Sequence, residues 1–497
     1  MRGTPAFLLA LLLLPASLAA QTVRLEGPTG GRAARALKAL LDRGDYVVVS
    51  RDTILGDSVH IRSDLVVNAA TVRISGQVDG SIAVIEGTLF LRPGARVGGQ
   101  IISTPGSLVL PSAKATYGDT LSVPLTMGVA LSRAADSTVV TLVPPPAPPL
   151  LSPGGLFGLQ QPTYDRVNGA TVRASVNFQP FGAIPNHVYA QAWGTYYSAR
   201  GAVGGGVRAV VPFEHDVVGR AEVARETRTN ERWIRGDFAN SLAALVARSD
   251  ARDYWESDYA TVTLEKEPPA LQTDQAFAVP RLTLLVERDR SLAARNPWSV
   301  LHGGEPWRTN PPVAEGTLAS ATLGAALGWR GTLASFDGDA AVEWAPASVG
   351  DFSFAQLTAS GEWSMFLFSG HMIDVRAHLL QPLGGGGAPP QRWSSVGGAG
   401  TLPTLDFDAL RGDHVVFIQS TYAIAVPRLS IPLVGPPIVA FRDAIGTAWV
   451  TGEDAPRWAQ NVAVGLQFRA LEAFAYIDPA RPGPIHPTLT LALALSF

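Results

Sequence analysis

The last nine residues, Leu489-Thr490-Leu491-Ala492-Leu493-Ala494-Leu495-Ser496-Phe497, put a large apolar side chain at every odd position and a small or hydroxylated one at every even position. A repeat of two is the repeat of a β-strand, and its strictness here gives one oily face and one slim face. In a soluble sandwich the oily face points into a core. A strand of this length ending in Phe also fits the roughly 9–11 tilted residues that cross a bilayer. No run of eighteen apolar residues follows Gln21, so entry into a membrane would be by strands. Only 16% of the residues are charged, against the usual ~25% of a soluble domain.

Similar segments recur upstream, separated by Gly/Pro/Asn/Asp turns: Val172–Phe178, His187–Tyr197, Val203–Phe213, a weaker Ala221–Thr227, Tyr259–Leu264, Arg281–Val286, Ala319–Trp329 and Ala340–Trp344. Phe354–Phe368, Met372–Leu380, Val415–Val426, Ile438–Val450, Val462–Phe468 and Leu471–Ile477 follow. With the terminal strand there are about fifteen. Hydrocarbon tolerates no unpaired sheet edge and single-chain bacterial barrels favour even numbers, so the expected fold is a transmembrane antiparallel β-barrel of about 16 strands, with 12 or 14 as alternatives, over residues 164–497. A soluble all-β adhesin is the rival fold. Trp193, Tyr196, Tyr197, Trp329, Trp363 and Trp449 near segment ends are candidates for interfacial girdles. Between Glu231 and Asp258 the rhythm breaks; Phe238, Leu242, Leu245 and Val246 after a possible N-cap Asp237 predict a helix in a loop or plug.

The N-terminal part reads differently. Arg2, the apolar run Ala6–Leu14 and the small residues to Ala20 form a signal peptide over residues 1–20. A short helix over Gly30–Leu41 and a strand at Tyr46–Val49 make up a lead-in over 21–52. Then Ile74-Ser-Gly-Gln-Val78-Asp-Gly80-Ser-Ile82 matches Pro93-Gly-Ala-Arg-Val97-Gly-Gly99-Gln-Ile101 at an offset of nineteen, and Leu89-Phe-Leu91 matches Leu108-Val-Leu110. Such spacing means stacked rungs, because one rung cannot bury its own apolar face. The expectation is a small right-handed β-solenoid domain over 53–142, its rungs running from Thr53 to Lys114, followed by a Pro-rich linker over 143–163. The pattern resembles the bactofilin, or polymer-forming, family of bacterial scaffold proteins, which implies self-association through the solenoid. An ordinary Gly-rich β meander is the alternative.

Two places resemble the bacterial surface antigen superfamily, the barrels of outer-membrane assembly factors (BamA/TamA-like) and of two-partner secretion transporters. Gly397 to Asp413, with Leu410-Arg411-Gly412-Asp413 at its tip, is similar to the long loop that folds into the lumen of these barrels, and about five strands then lead to a terminal Phe. The resemblance implies that Arg411 pairs with an acid on the barrel wall; Asp413 stands where the family has an aromatic residue, and an exposed Arg-Gly-Asp turn is the other reading. Leu491, Leu493, Leu495 and Phe497 form the C-terminal barrel signature. Tyr164-Asp-Arg-Val-Asn-Gly169 resembles the entry of related barrels without an assigned transport role. The polypeptide-transport repeats that insertases of the superfamily carry before the barrel are not evident in Gln21–Thr163.

Chemistry is sparse. Eight histidines form no compact ligand set and there is no Cys, which argues against structural metal sites. No G-x-S-x-G or phosphate-binding loop occurs, and a net charge of −3 offers no basic tract for nucleic acid. The reading is therefore not an enzyme, with no cofactor and no metal. It predicts a bacterial outer-membrane barrel with its N-terminal domain in the periplasm, implicated by resemblance in protein or lipid translocation, insertion or envelope organisation. Its partners are outer-membrane lipid and the barrel assembly machinery. A structural anchor or a passive pore is the alternative.

Overall fold

In a computed structural model of the chain, residues 22–493 are described except 113, 126, 134–136, 145–148, 181–187, 214–215, 268–274, 304, 368–369, 385, 427–428, 430–435, 455–456, 469–470, 483 and 485. The expected signal peptide, part of the Pro-rich linker, and Leu495 and Phe497 lie outside the described residues. The chain divides between residues 147 and 148 into two compact units.

The first unit is a β-solenoid with three parallel ladders. One stacks Tyr46–Val49, Asp64–Asn68, Ile82–Ile85, Ile101–Ser103 and Thr120–Ser122; the second stacks Thr53–Leu55, Thr71–Ile74, Thr88–Leu91 and Leu108–Pro111; the third stacks His60–Ile61, Gln77–Val78 and Arg96–Val97. Val97 lies beside Val78 and Ile101 beside Ile82, as the repeat predicts. The Leu-x-Leu pairing is different: Leu108 lies beside Thr88 and Val109 beside Leu89. Thr88 comes four residues after Val84, but Leu108 comes five after Ser103, the neighbour of Val84, and the longer turn bends at Gly106, with φ +82°. A slip of one residue reverses faces. Leu89 and Leu91 are therefore buried, while Leu108 and Leu110 are exposed.

The first ladder has apolar packing on both faces. Leu65, Val67, Ile82 and Val84 point into the coil; Val66, Ala83, Ile85 and Ile102 point out, against Leu37, Leu40 and Leu41 of helix α1 (Arg32–Arg43). Gly44, left-handed at φ +71°, ends α1 by donating its N–H to the Leu41 carbonyl. A side sheet made of Thr22–Glu26, Ser137–Val143 and Gly128–Arg133 completes the outer core. The solenoid rungs thus begin at Tyr46, inside the expected lead-in, and end at Ser122; the chain from Gly128 to Val143 turns back into the side sheet.

The second unit is one antiparallel sheet with sixteen strand positions. We number them β1 (Leu151–Pro153 with Thr163–Asp165), β2 (Gly169–Phe178), β3 (Tyr189–Tyr197), β4 (Ala202–Pro212), β5 (Val217–Arg228), β6 (Trp255–Lys266), β7 (Gln275–Ser291) and β8 (Gly316–Arg330). Then come β9 (Ala334–Ala345), β10 (Phe354–Phe366), β11 (His371–Pro382), β12 (His414–Ala425), β13 (Ile438–Trp449), β14 (Ala459–Phe468), β15 (Leu471–Ile477) and β16 (Thr488–Leu493). Every expected segment coincides with one of β2–β16. The remaining position, β1, falls largely in the expected linker: both of its pieces pair with β2, and Leu159 bridges to Ala174 between them. Helix α2 (Asp237–Ala247), about 16 Å long, lies against both β1 and β16, which brings the two ends of the sheet together in a barrel-like arrangement.

Alternation sorts the wall. Outward rows such as Ala221–Val262–Leu284–Ala321–Trp344 are apolar, and in β16 Leu489 and Leu491 are 78% and 77% exposed while Thr490 faces Phe474 on the inner side. Trp329, Phe336 and Trp363 form an outward aromatic row. Trp193 and Tyr197, grouped with it by sequence, instead point inward: Trp193 donates from Nε1 to Glu226 at 2.6 Å, and the Tyr197 hydroxyl accepts from the Thr227 N–H. The three longest connections, 229–254, 292–315 and 383–413, all lie at one end of the barrel.

Candidate functional site

The interior of the second unit is filled by those three connections, and charge holds them there. Asp165, Arg166 and Asn168 lie on the tight β1–β2 turn, where the Asp165 carboxylate accepts from the Val167 and Asn168 N–H groups at 2.9 and 2.7 Å. Gly169 adopts φ +66° with Ser198 and Ala199 so close that a Cβ would clash. This turn delivers Arg166 to the interior, fully buried. Its guanidinium donates to Asp253 at 2.9 Å and Asn310 at 3.0 Å, pairs with Asp250 at 3.3 Å, bonds the Arg252 carbonyl and lies over the Tyr254 ring. The sequence-noted Tyr164–Gly169 motif is thus the junction of the 229–254 and 292–315 connections.

Helix α2 faces this junction with Asn240 and Ala244. Asn240 donates to Asp250 at 2.9 Å and accepts from the Ala251 N–H at 3.1 Å. The apolar positions that announced the helix are not its most buried ones; Phe238 is exposed. A left-handed Arg248 caps its C-terminus, with φ 54°.

The 383–413 connection enters as a short hairpin, Ser394–Val396 paired with Leu410–Gly412. Its anchor is Arg392. The guanidinium spans two wall strands, donating to Glu287 of β7 at 2.5 Å and to both oxygens of Glu343 of β9 at 2.8 and 3.1 Å. Gln391 makes a backbone-like pair with Ala314 at 3.0 and 3.2 Å. Ser395 donates to Glu231 at 2.7 Å, and Trp233, which stacks on His378, donates to Ser394 at 3.0 Å.

The expected tip residues are all in this interior, but on the returning strand at the hairpin's open end and not at its tip, since Leu410–Gly412 pairs with Ser394–Val396 and the chain turns within 397–409. Leu410 packs beside buried Val396 and Leu402. Arg411 is about one-fifth exposed, lies over Trp393 and reaches Asp253 at 3.4 Å. Asp253 belongs to the segment just before β6, so the pairing is loop to loop; the arginine that meets wall acids is Arg392. At Gly412 a Cβ would sit 1.9 Å from the Trp449 carbonyl oxygen. Asp413 is no exposed turn residue: fully buried, it accepts from the Thr451 N–H and hydroxyl at 2.8 and 2.7 Å and pairs with His414.

Glu231, Asp253 and Asp408 converge within 4.8 Å of one another. Arg308 lies between the two aspartates, donating to Asp253 at 2.8 Å and to Asp408, so a guanidinium already occupies the position a cation would take. Burial, together with the charges of Asp253 and Asp408, pushes Glu231 up to about 8. Two cavities flank the plug: one of about 220 Å³ between α2 and β2, β3 and β5, and one of about 300 Å³ beside Arg392 and His378. His378 is bonded to Ser360 at 2.8 Å, and among the described residues no carboxylate bonds its ring. Sequence reasoning missed Arg166, Arg308 and Arg392 as anchors. Arg166 alone had a local signal, the turn motif around it.

No family model and no curated protein sequence matches the chain. Among solved structures it is similar to BamA from Haemophilus ducreyi lacking POTRA domains 1–3, with 12% identity, 74% of each chain covered and a TM-score of 0.47. It is also similar to CdiB from Escherichia coli, at 11% identity over 74% of this chain and 66% of that one, with a TM-score of 0.39. For CdiB from Acinetobacter baumannii the figures are 12%, 74%, 64% and 0.39.

Proposed function

We propose that the chain is an outer-membrane β-barrel of surface-antigen type whose lumen is closed by an ion-paired plug. It acts without enzymatic chemistry in the translocation or insertion of protein or lipid, or in the organisation of the envelope. The observation that carries this reading is inverted polarity. The barrel exposes Leu284, Leu323, Val464, Leu489 and Leu491 outward and buries Arg166, Glu287, Asp289 and Arg392 inward. Water rewards the opposite arrangement, whereas acyl chains solvate such a wall and strand pairing satisfies its backbone. Barrels of this kind have short periplasmic turns, which supports a reading with the three long connections on the exterior side and a periplasmic N-terminal unit.

The test is heat-modifiability of the detergent-extracted protein together with membrane fractionation. A barrel shifts its gel mobility on boiling and stays in the outer membrane; a soluble, unshifted protein would end the proposal. Planar-bilayer conductance then separates a plugged transporter from a passive pore. The plugged reading expects a silent wild type and an open Arg392→Ala variant.

A second reading, scaffolding through the solenoid, is favoured by Thr53–Leu55 and Leu108–Pro111, which end their ladder with one neighbour each. Exposed ladder edges invite a further strand. Unchanged sedimentation after deletion of 53–114 would remove that reading.

A further inference from the structure

We propose that the outer face of β5–β8, at the long-connection end, binds one phosphorylated glycolipid of the outer leaflet, with its phosphates on Arg225, Arg288 and Arg290 and an acyl chain in the hollow next to them. The proposal rests on the membrane reading above.

Strand register carries the argument. Val223, Ala260, Val286 and Ala319 stand side by side on the outer face. Two residues farther toward the long connections, about 7 Å along the strands, the same row reads Arg225, Asp258, Arg288 and Thr317. The wall changes from aliphatic to charged in that single step, as it must where hydrocarbon gives way to headgroups. Three of the four arginines there share two carboxylates. Arg225 pairs with Asp258, Arg290 bridges Asp258 at 2.6 Å and Glu256 at 3.3 Å, and Arg200 also reaches Glu256. Arg288 is exposed and has no partner among the described residues. Asp351, beyond Thr317, accepts from the Thr317 N–H at 2.7 Å. The cluster therefore offers one guanidinium without a bonded carboxylate among the described residues, Arg288, in the side chain that grips phosphate in a fork.

On the membrane side of this cluster lies an apolar hollow of about 380 Å³. Small residues, Ala260, Ala319 and Ala321, floor it, while Val286 and Trp344 stand beside them, Trp344 being 56% exposed. An apolar slot that leads to unpaired guanidinium is complementary to an amphiphile with an anionic head. The exterior leaflet at that depth supplies one with several phosphates.

The test uses the full chain in phosphatidylcholine nanodiscs, offered diphosphoryl lipid A and read by native mass spectrometry. One lipid A should be retained. Retention should fall by about tenfold, the loss of roughly one charge-assisted contact, in Arg225→Glu/Arg288→Glu, and comparably in Ala319→Trp, which fills the hollow and leaves the charges alone. Arg288→Gln, a change at an unpaired and exposed side chain, serves if the double variant no longer shifts on heating. Equal retention of the dephosphorylated lipid or of phosphatidylglycerol overturns the assignment, as does wild-type retention in the variants. Failure of the membrane reading shows earlier and separately, as wild-type protein that neither shifts on heating nor floats with vesicles.

Discussion

The two units solve the same burial problem with opposite chemistry. In the solenoid, a ladder of Val, Ile and Leu is covered on both faces and Asp64–Asn68 is buried along its whole length. In the barrel, the protected space is filled with arginine and carboxylate, and the aliphatic residues face outward. The solenoid is held by non-directional contacts, about 1.5–3 kcal/mol for each large side chain buried. The barrel plug is held by a few directional pairs that tolerate no missing partner. Substitutions should therefore act in the solenoid through volume and polarity, and in the plug through pairing.

The largest contrast comes from Val66→Asp. It places a carboxylate between α1 and the first ladder, where no partner awaits it, and should cost more than about 4 kcal/mol, enough to unfold the first unit. Limited trypsin digestion should then degrade residues 22–147 and spare a heat-modifiable fragment from about 148 onward. Survival of both units would show that the solenoid core is looser than its packing implies. Next is Arg392→Ala, which leaves buried Glu343 with the Ser320 hydroxyl as its partner while Glu287 keeps Arg228 at 2.5 Å, and should weaken plug docking by about 3 kcal/mol, read as lost amide protection at Ser394–Val396. Adding Glu343→Gln, and leaving Glu287 to Arg228, should recover much of that loss. Without recovery, the role of Arg392 would be one of size and not of charge.

The same contrast explains what the sequence made legible. Every strand from β2 to β16 was announced by alternation, because the rule that places oily residues on one face is local. Strand β1 was hidden: Pro153, Gly154 and Gly155 interrupt it, and its two pieces are recognisable only once β2 lies beside them. In the solenoid the repeat gave the correct neighbours for Val78 and Ile82, but one extra turn residue displaced the Leu108 row. The plug was the least readable part. Arg392 lies 105 residues from Glu287 and 49 from Glu343 along the chain, and no spacing rule links such partners. Arg411, which the resemblance singled out, lies opposite Ser395 in the hairpin, and Arg392 stands just outside the same open end.

A smaller, graded effect should follow pH. Glu231 has an ordinary value of 4.5 that rises to about 8 where it is buried beside Asp253 and Asp408. For a raised acid, the stability carried by the protonated form is complete below about pH 4.5 and is lost as pH climbs through about 8. Protection at Ser394–Val396, corrected for intrinsic exchange, should decline between about pH 4.5 and 8 and level off above that. In Glu231→Gln the decline should shrink, since the amide oxygen still accepts from the Asp253 N–H and no charge develops there, leaving the raised Asp408 to titrate. The solenoid core, which contains no such group, should show no matching decline.

The smallest effect expected is at the residue the resemblance singled out. Arg411 has one long ion pair, at 3.4 Å, a ring contact with Trp393 and a long hydrogen bond to the Pro390 carbonyl at 3.3 Å. Its removal does not strand Asp253, which keeps Arg166 at 2.9 Å and Arg308 at 2.8 Å. A partly exposed pair of this kind contributes about 0.2–1 kcal/mol, and the ring contact a similar amount. Arg411→Ala should therefore loosen the hairpin by about 1 kcal/mol, well below the effect of Arg392→Ala, and leave a planar bilayer silent. A double-mutant cycle with Asp253→Asn should give a coupling under about 1 kcal/mol. If Arg411→Ala opened the lumen as widely as Arg392→Ala, the hairpin would be held through Arg411, and the two acids on β7 and β9 would need another role.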